Sequence, residues 1–210
     1  MIFQSVYNGP VQYFARLVRE ERVVIERFDS YLKQTYRNRC RILGANGPIT
    51  LSVPVVKTAG QKMLVKDVRI DNSVPWQRIH WKSIFSAYAS SPFFEFTMDD
   101  LFVYYEKQIE FLLDLNHGLL TTALSLLGLS VTVSYTDDFV PVGEVRTDPR
   151  LLIHPKRDYH IDDPDFNPAP YKQVFSEKHG FVPNLSIIDL LFNEGSNARV
   201  ILEKSLDTKT

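Results

Sequence analysis

Apolar residues at the start of the chain change from strand spacing to helix spacing and back again. Residues 2–6 form a short apolar run typical of a buried strand, and residues 22–28 form a second one. Between them Gly9-Pro10 marks a turn, and Pro suits the first position of a helix. Apolar residues then recur at helical spacing, at Val11, Phe14, Ala15 and Val18. This order predicts a βαβ unit whose two strands are parallel neighbours joined by a right-handed crossover.

The next part of the chain predicts a hairpin. Residues 37–42 and 49–56 have strand character, and the Asn46-Gly47 pair between them favours a tight turn. Pro54 cannot donate a ladder hydrogen bond, so the second strand should end near it or lie at an edge.

Helical periodicity dominates the middle of the chain. Apolar spacing predicts helices over residues 75–89, 96–107 and 109–127, followed by a strand over residues 130–135. Residues 136–170 have many prolines and acids and predict a long extended loop, and two helices should follow at residues 171–179 and 185–193. We therefore expect one α/β domain over residues 1–210, with a Rossmann-like, mainly parallel sheet, a β-hairpin insertion and a helical middle segment.

Composition narrows the class of protein. The chain has 210 residues, 44% of them hydrophobic, and a net charge of −1, so no global field favours nucleic acid or a membrane surface. Its one cysteine, Cys40, excludes an intrachain disulfide and a cysteine zinc site. Residues 118–129, the longest uncharged apolar segment, are too few to span a bilayer. We expect a soluble cytoplasmic protein without a nucleic-acid partner or a membrane span; a homo-oligomer stays open.

The positive charge is concentrated in one region. Residues 30–66 contain no Asp or Glu, but they contain Lys33, Arg37, Arg39, Arg41, Lys57, Lys62 and Lys66. If residues 37–42 are a strand, Arg37, Arg39 and Arg41 share one face, and Tyr36, Asn38, Cys40 and Ile42 share the other. The arginine row is either an ordinary solvated face or a site for an anion.

His80 and the first turn are the other candidates for chemistry. His80 lies on the apolar arc of the helix predicted at residues 75–89, so it is either a hydrogen-bonded core residue or a pocket histidine that acts as a base or an anion donor. The turn of Tyr7, Asn8 and Gly9 follows a predicted parallel strand, where ligands of such sheets bind. His154 and His160 stand among several acids, but their spacing fits no structural zinc site, so we predict no metal. The sequence does not identify a cofactor.

Several motifs, in order along the chain, carry a family resemblance. Tyr7-Asn8-Gly9-Pro10 is followed by Tyr13-Phe14, then by Lys33, Arg37-Asn38-Arg39 and Leu51-Ser52-Val53-Pro54, then by Trp76, His80 and Pro92-Phe93-Phe94. On these motifs the sequence resembles the WbqC-like family, named for a protein of bacterial O-antigen gene clusters. The closing FVPNLSIIDLLFNEG is similar to shorter members from Bacteroides-like bacteria. Asn8-Gly9 replaces the usual Phe-Pro, and residues 136–170 stand where longer members have a Ser-Gly motif.

The resemblance implies a link to surface polysaccharide assembly. Two functions stay open: a transferase acting on a nucleotide-linked sugar or similar activated precursor, and a non-catalytic binding or scaffold protein of the same pathway. We predict one pocket for a small anion such as phosphate, a nucleotide or a carboxylate, with His80 as the candidate catalytic residue. The predicted substrate-binding residues are Tyr7, Asn8, Gly9, Lys33, Arg37 and Arg39.

Overall fold

Five strands form two small sheets in the part of the chain that the structure describes. The computed structural model describes residues 1–56, 62–143 and 148–206, so Lys57 of the basic region lies outside the described residues. The strands are β1 (Ile2–Gln4), β2 (Arg22–Glu26), β3 (Arg39–Gly44), β4 (Gly47–Ser52) and β5 (Thr132–Tyr135).

The first sheet is parallel and has β2 at its centre. β1 pairs with β2 in the register Ile2 to Val24, and β2 pairs with β5 in the register Val23 to Val133. This confirms that the first two predicted strands are parallel neighbours and that the strand predicted at residues 130–135 joins their sheet. The carboxyl ends of all three strands therefore lie along one edge.

The second sheet is the predicted hairpin. β3 and β4 are antiparallel, and their last pair joins Gly44 to Gly47 across the Ala45-Asn46 turn. Gly47 has a φ of 112°, which L side chains rarely adopt, so glycine suits the start of β4. β4 ends at Ser52, before Pro54, as expected of a strand that cannot continue through proline.

β3 begins two residues later than the sequence predicted. Arg37 and Asn38 precede it, and Asn38 Nδ2 donates to Val53 O at 2.9 Å, tying the entry of β3 to the end of β4. Within β3 the faces alternate as predicted: Cys40 and Ile42 are buried, and Arg41 is exposed. The arginine row is thus divided between a buried Arg37, a partly buried Arg39 and an exposed Arg41.

Helices surround the sheets. The three long middle helices are close to their predicted bounds, whereas the predicted helix at residues 171–179 is reduced to its last turn. Two short helices interrupt the loop predicted at residues 136–170, and a last helix was not predicted. The helices are α1 (Val11–Leu17), α2 (Trp76–Tyr88), α3 (Phe94–Glu106), α4 (Leu112–Leu126), α5 (Pro149–Leu152), α6 (Tyr159–Asp162), α7 (Ser176–His179), α8 (Ile187–Glu194) and α9 (Ala198–Lys204).

Helix α8 lies at the centre of the molecule. It packs against α1, α3, α4, α9 and β3, and its residues from Ile187 to Asn193 are all buried. Asp189, its buried carboxylate, accepts hydrogen bonds from Tyr88, Tyr171 and Gln173. A helix that is buried along nearly its whole length belongs in a core, and one continuous hydrophobic cluster includes both sheets and α8.

Candidate functional site

The carboxyl ends of the three parallel strands open onto one crevice. Ser5 follows β1, Ile25 lies near the end of β2, Tyr135 ends β5, and all three line the crevice. Its volume is about 190 Å³ including its open mouth. Ligands of open parallel sheets bind at this edge, where the strands end and the loops begin. We call this feature the strand-end crevice.

Helix α4 forms the facing wall and contributes two polar side chains. Asn116 is 2% exposed, and its Nδ2 donates to Ser5 Oγ at 2.9 Å and to Arg37 O at 2.8 Å. His117 is the next residue, and its ring lies 5.5 Å from the ring of Tyr135. Asn116 Oδ1 and His117 Nδ1 are buried atoms without a hydrogen-bond partner among the described residues. Buried polar atoms are normally paired, so these two call for an explanation.

A second group of buried polar atoms lies beside the crevice. Arg37 is 5% exposed, and its guanidinium forms an ion pair with Asp29. Within the part of the chain that the structure describes, Arg37 Nε, Arg39 Nε and Tyr31 Oη have no hydrogen-bond partner. We call Tyr31, Arg37 and Arg39 the basic cluster. The bond from Asn116 to Arg37 O joins it to the strand-end crevice.

Shifts in pKa show that the members of the basic cluster act on one another. Burial raises the pKa of Tyr31 to about 12, while the charges of Arg37 and Arg39 oppose this rise. Burial also lowers the pKa of Arg37, opposed by Asp29 and Tyr31. The pKa of His154 is lowered by burial and by the charges of neighbouring cations, Arg37 among them. The cluster is therefore a desolvated positive centre that one carboxylate partly balances.

His80 lies in a different environment. Its Nδ1 is 2.9 Å from Tyr7 Oη, which is 2.9 Å from Tyr105 Oη, and Asn8 Nδ2 donates to Tyr105 Oη at 2.9 Å. Trp76 packs edge-on against the His80 ring. All five residues are buried. Burial lowers the pKa of His80 to about 4, so its imidazole is neutral at pH 7.

The contacts therefore place the predicted site residues in two groups. Arg37 and Arg39 belong to the basic cluster, whereas Tyr7, Asn8 and His80 form the buried network. The two groups are joined through the backbone, since Tyr7 N donates to Tyr36 O at 2.8 Å.

The remaining two predicted residues do not add a side chain to either group. Lys33 is exposed. Gly9 is enclosed, and a Cβ there would lie 2.7 Å from Val6 Cγ2, while its carbonyl accepts from Ile187 N at 2.8 Å. Gly9 thus allows the close packing of the first turn against the start of α8.

One buried carboxylate at the same sheet edge has a structural role. Glu26 ends β2, and its oxygens accept hydrogen bonds from Phe28 N, Thr136 Oγ1 and Val140 N. Arg150 lies 3.8 Å from it. Because its oxygens are already bonded, Glu26 holds the loops after β2 and β5 in place.

The acidic loop is the segment predicted at residues 136–170, of which residues 144–147 lie outside the described residues. Its acidic side chains form ion pairs and a helix cap. Asp163 pairs with Arg16, Asp162 pairs with Arg157, and Asp158 caps α6 through His160 N. No three His, Cys, Asp or Glu side chains within residues 1–56, 62–143 and 148–206 are grouped to hold a metal ion.

Asn116, His117, Tyr31 and Tyr135 were not predicted as site residues. The sequence does contain a signal for Asn116, which falls on the buried stripe of α4 with Leu112, Leu115, Leu119 and Leu120. An amide in an apolar stripe is a buried polar group that needs partners. Tyr31 and Tyr135 carry no such signal, because their roles depend on where the strands end.

Comparison with known proteins assigns the chain to a family. Fold and site define a mixed α/β protein with a small crevice at the carboxyl edge of a short parallel sheet, joined to a partly buried basic cluster. The model of the WbqC-like protein family matches residues 4–160 and 154–201. The chain therefore belongs to the WbqC-like family.

One curated relative also covers nearly all of the chain. The uncharacterized protein Rv1507c of Mycobacterium tuberculosis is 27% identical over 218 residues, which span 94% of each chain. No solved structure gave a significant match. Among the described residues, no helix combines the length and the apolar character that crossing a membrane requires.

Proposed function

We propose that the chain binds a small anionic ligand, a phosphate, nucleotide or carboxylate, at the basic cluster beside the strand-end crevice. One observation supports this most directly: three buried polar atoms, Arg37 Nε, Arg39 Nε and Tyr31 Oη, lack an acceptor within the described residues. A buried donor without an acceptor costs about 1–3 kcal/mol. Phosphate and carboxylate oxygens suit arginine donors, which can bind them through paired hydrogen bonds.

The proposed reaction class is group transfer from a nucleotide-linked sugar or similar anionic precursor in the assembly of bacterial surface polysaccharide. Family membership supports the link to that pathway, and the position of the cluster at the carboxyl edge of a parallel sheet supports a Rossmann-like mode of binding. Fold analogy alone does not establish a reaction. The cytoplasmic location stays a prediction, and a homo-oligomer stays open.

A non-catalytic binding or scaffold protein of the same pathway is the second candidate. Helices α2 and α3 expose large apolar side chains, including Ile79, Phe85 and Phe96, the last at 78%. Exposed apolar surface of this kind is typical of protein contacts. Release of free UDP from UDP-glucose distinguishes the two candidates, because a scaffold protein would leave the sugar nucleotide intact.

A thermal-shift assay with inorganic phosphate, UDP and UDP-glucose tests the anion site. A ligand at about a hundred times its Kd adds about 2.7 kcal/mol to the free energy of unfolding. Arg39→Met should weaken binding about 10–100-fold, the loss expected for a charge-assisted hydrogen bond. Arg41→Met is the matched control, since Arg41 lies on the same face of β3 and is exposed.

Two results would contradict the anion site. One is equal weakening by Arg39→Met and Arg41→Met, which would support the solvated arginine face instead. The other is the absence of stabilisation by all three anions.

A further inference from the structure

The strand-end crevice and the basic cluster offer complementary chemistry. The cluster presents donors, whereas Asn116 Oδ1 in the crevice is an acceptor. The Nδ2 of the same amide donates to Ser5 Oγ and Arg37 O, and the carbonyl Arg37 O fixes the orientation, because Oδ1 in the place of Nδ2 could not bond another acceptor. The crevice therefore calls for a hydrogen-bond donor and the cluster calls for an acceptor, and the bond from Asn116 Nδ2 to Arg37 O joins the two.

His117 is the second polar group of the crevice. Its Nδ1 is buried, and no described residue bonds it. The nitrogen of a neutral imidazole can accept or donate, depending on the tautomer. A hydroxyl group satisfies both side chains at once, because it donates one hydrogen bond and accepts others.

The size and charge of the crevice limit which chemical group of a ligand can bind there. The crevice as a whole has room for about one water-sized group. The residues that line it include no Asp, Glu, Lys or Arg: they are Ser5, Val6, Ile25, Leu113, Asn116, His117, Leu120 and Tyr135. An ammonium group would enter this space without a counter-charge, and a phosphate group would be too large and would meet the acceptor of Asn116. A neutral hydroxyl fits.

We propose that Asn116 and His117 form a hydroxyl socket, a specificity site that binds one hydroxyl group of the ligand whose anionic group is held by the basic cluster. The ligand class is therefore a phosphorylated polyol or sugar with a hydroxyl close to its phosphate. This inference rests on the proposed anion site and adds the neutral half of the ligand. His117 and Asn116 act in recognition, since each touches the bound hydroxyl.

Two probes with the same three-carbon chain test the need for a hydroxyl: sn-glycerol 3-phosphate, which has two hydroxyls, and n-propyl phosphate, which has none. Binding to the full chain is measured by titration, with the ring signals of the histidines followed by NMR. Glycerol 3-phosphate should bind about 10–100-fold more tightly than propyl phosphate, because only glycerol 3-phosphate has a hydroxyl that can hydrogen-bond with the buried atoms Asn116 Oδ1 and His117 Nδ1. The His117 ring signal should shift only with glycerol 3-phosphate.

His117→Phe is the decisive variant, because it keeps an aromatic ring beside Tyr135 and removes the nitrogen. It should bind the two probes with more nearly equal affinity and leave propyl phosphate binding unchanged. His160→Phe is the matched control, since His160 is exposed and should leave the ratio unchanged. Thermal melting of both variants checks that they are folded.

The outcomes separate this inference from the proposal on which it depends. Equal binding of both probes to the wild type, lost in Arg39→Met, would leave the anion site standing and overturn the hydroxyl socket. The socket is also overturned if the His117 signal does not move, because the crevice then holds only a water molecule. If neither probe binds, the proposed anion site is wrong, and the hydroxyl socket that depends on it is wrong as well.

Discussion

Two histidines show how residue environment decides which side chain can meet a ligand. His80 attracted attention in the sequence because of its place on an apolar arc, yet its Nδ1 is already 2.9 Å from Tyr7 Oη. The sequence did not single out His117, yet this residue lines the crevice and its Nδ1 has no hydrogen-bond partner among the described residues. These contacts favour the core alternative for His80, and its catalytic role stays a prediction.

The pH dependence of stability tests the environment of His80. Its pKa is lowered from 6.5 to about 4 in the folded protein because burial disfavours the charged ring. Between these values the unfolded chain binds more protons, so the free energy of unfolding falls as the pH falls through 6.5 towards 4. From pH 7 to pH 5 the loss due to this residue should be about 2 kcal/mol. Urea unfolding of the wild type at both pH values measures the total change.

The variant His80→Gln isolates the contribution of the imidazole, because glutamine hydrogen-bonds but does not titrate. At pH 7 it should cost about 1–3 kcal/mol through imperfect pairing with Tyr7. Its stability should then fall less than that of the wild type between pH 7 and pH 5. If the variant keeps normal stability while turnover drops about 10²–10⁴-fold, His80 is catalytic.

At the scale of elements, the long periodic helices and the βαβ unit were predictable, whereas the short helices α5, α6 and α9 in the last third of the chain were not. Helices α2, α3 and α4 each carry several turns of apolar periodicity, and the parallel strands follow from the βαβ order. Helix α9 has only seven residues, and its buried face consists of Ala198, Ile201 and Leu202. So short a pattern is stabilised by packing against α1 and α8, which the sequence alone does not reveal.

Part of the candidate functional site was also predictable from local sequence, and part depends on tertiary packing. The concentration of arginines before and within β3 predicted an anion site, and Arg37 proves to be buried there. The strand-end crevice requires knowing that Ser5, Asn116 and Tyr135, far apart along the chain, meet at one edge. Such contacts are set by tertiary packing rather than by local propensity.

The junction between α8 and α9 provides a prediction at this scale. Gly195 has a φ of 53°, and a Cβ there would lie 2.4 Å from Phe93 Cδ1. Gly195→Ala should cost about 3 kcal/mol, combining backbone strain with a clash against the partly buried ring of Phe93. Gly128→Ala is the control: its φ of 65° is similar, but nothing lies within 4 Å of the added methyl. It should cost about 1 kcal/mol. Equal costs in chemical denaturation would show that the junction tolerates the methyl group.

At the scale of the whole molecule, the open question is whether residues 136–170 belong to the domain or only border it. The prediction of one domain over residues 1–210 requires contacts between this segment and the core. Asp163, at 1% side-chain exposure, supplies them by pairing with Arg16 and accepting from Gln12 Nε2 at 2.8 Å. Gln4 Nε2 also donates to Ile153 O at 2.5 Å. The segment is thus anchored to both α1 and β1.

Asp163→Asn measures how far this anchor contributes to global stability. The change removes the negative charge and leaves the Arg16 guanidinium, 11% exposed, without its ionic partner. Breaking a buried pair on one side costs about 3–5 kcal/mol. Asp162→Asn is the matched control at the adjacent position, because its pair with Arg157 is largely exposed and is worth at most about 1 kcal/mol.

If the segment is part of one cooperative domain, Asp163→Asn should lower the denaturation midpoint of the whole protein, and hydrogen exchange should become faster in α1 as well as in the loop. Faster exchange confined to residues 148–170, with an unchanged global midpoint, would show that the segment opens independently and would contradict the single domain.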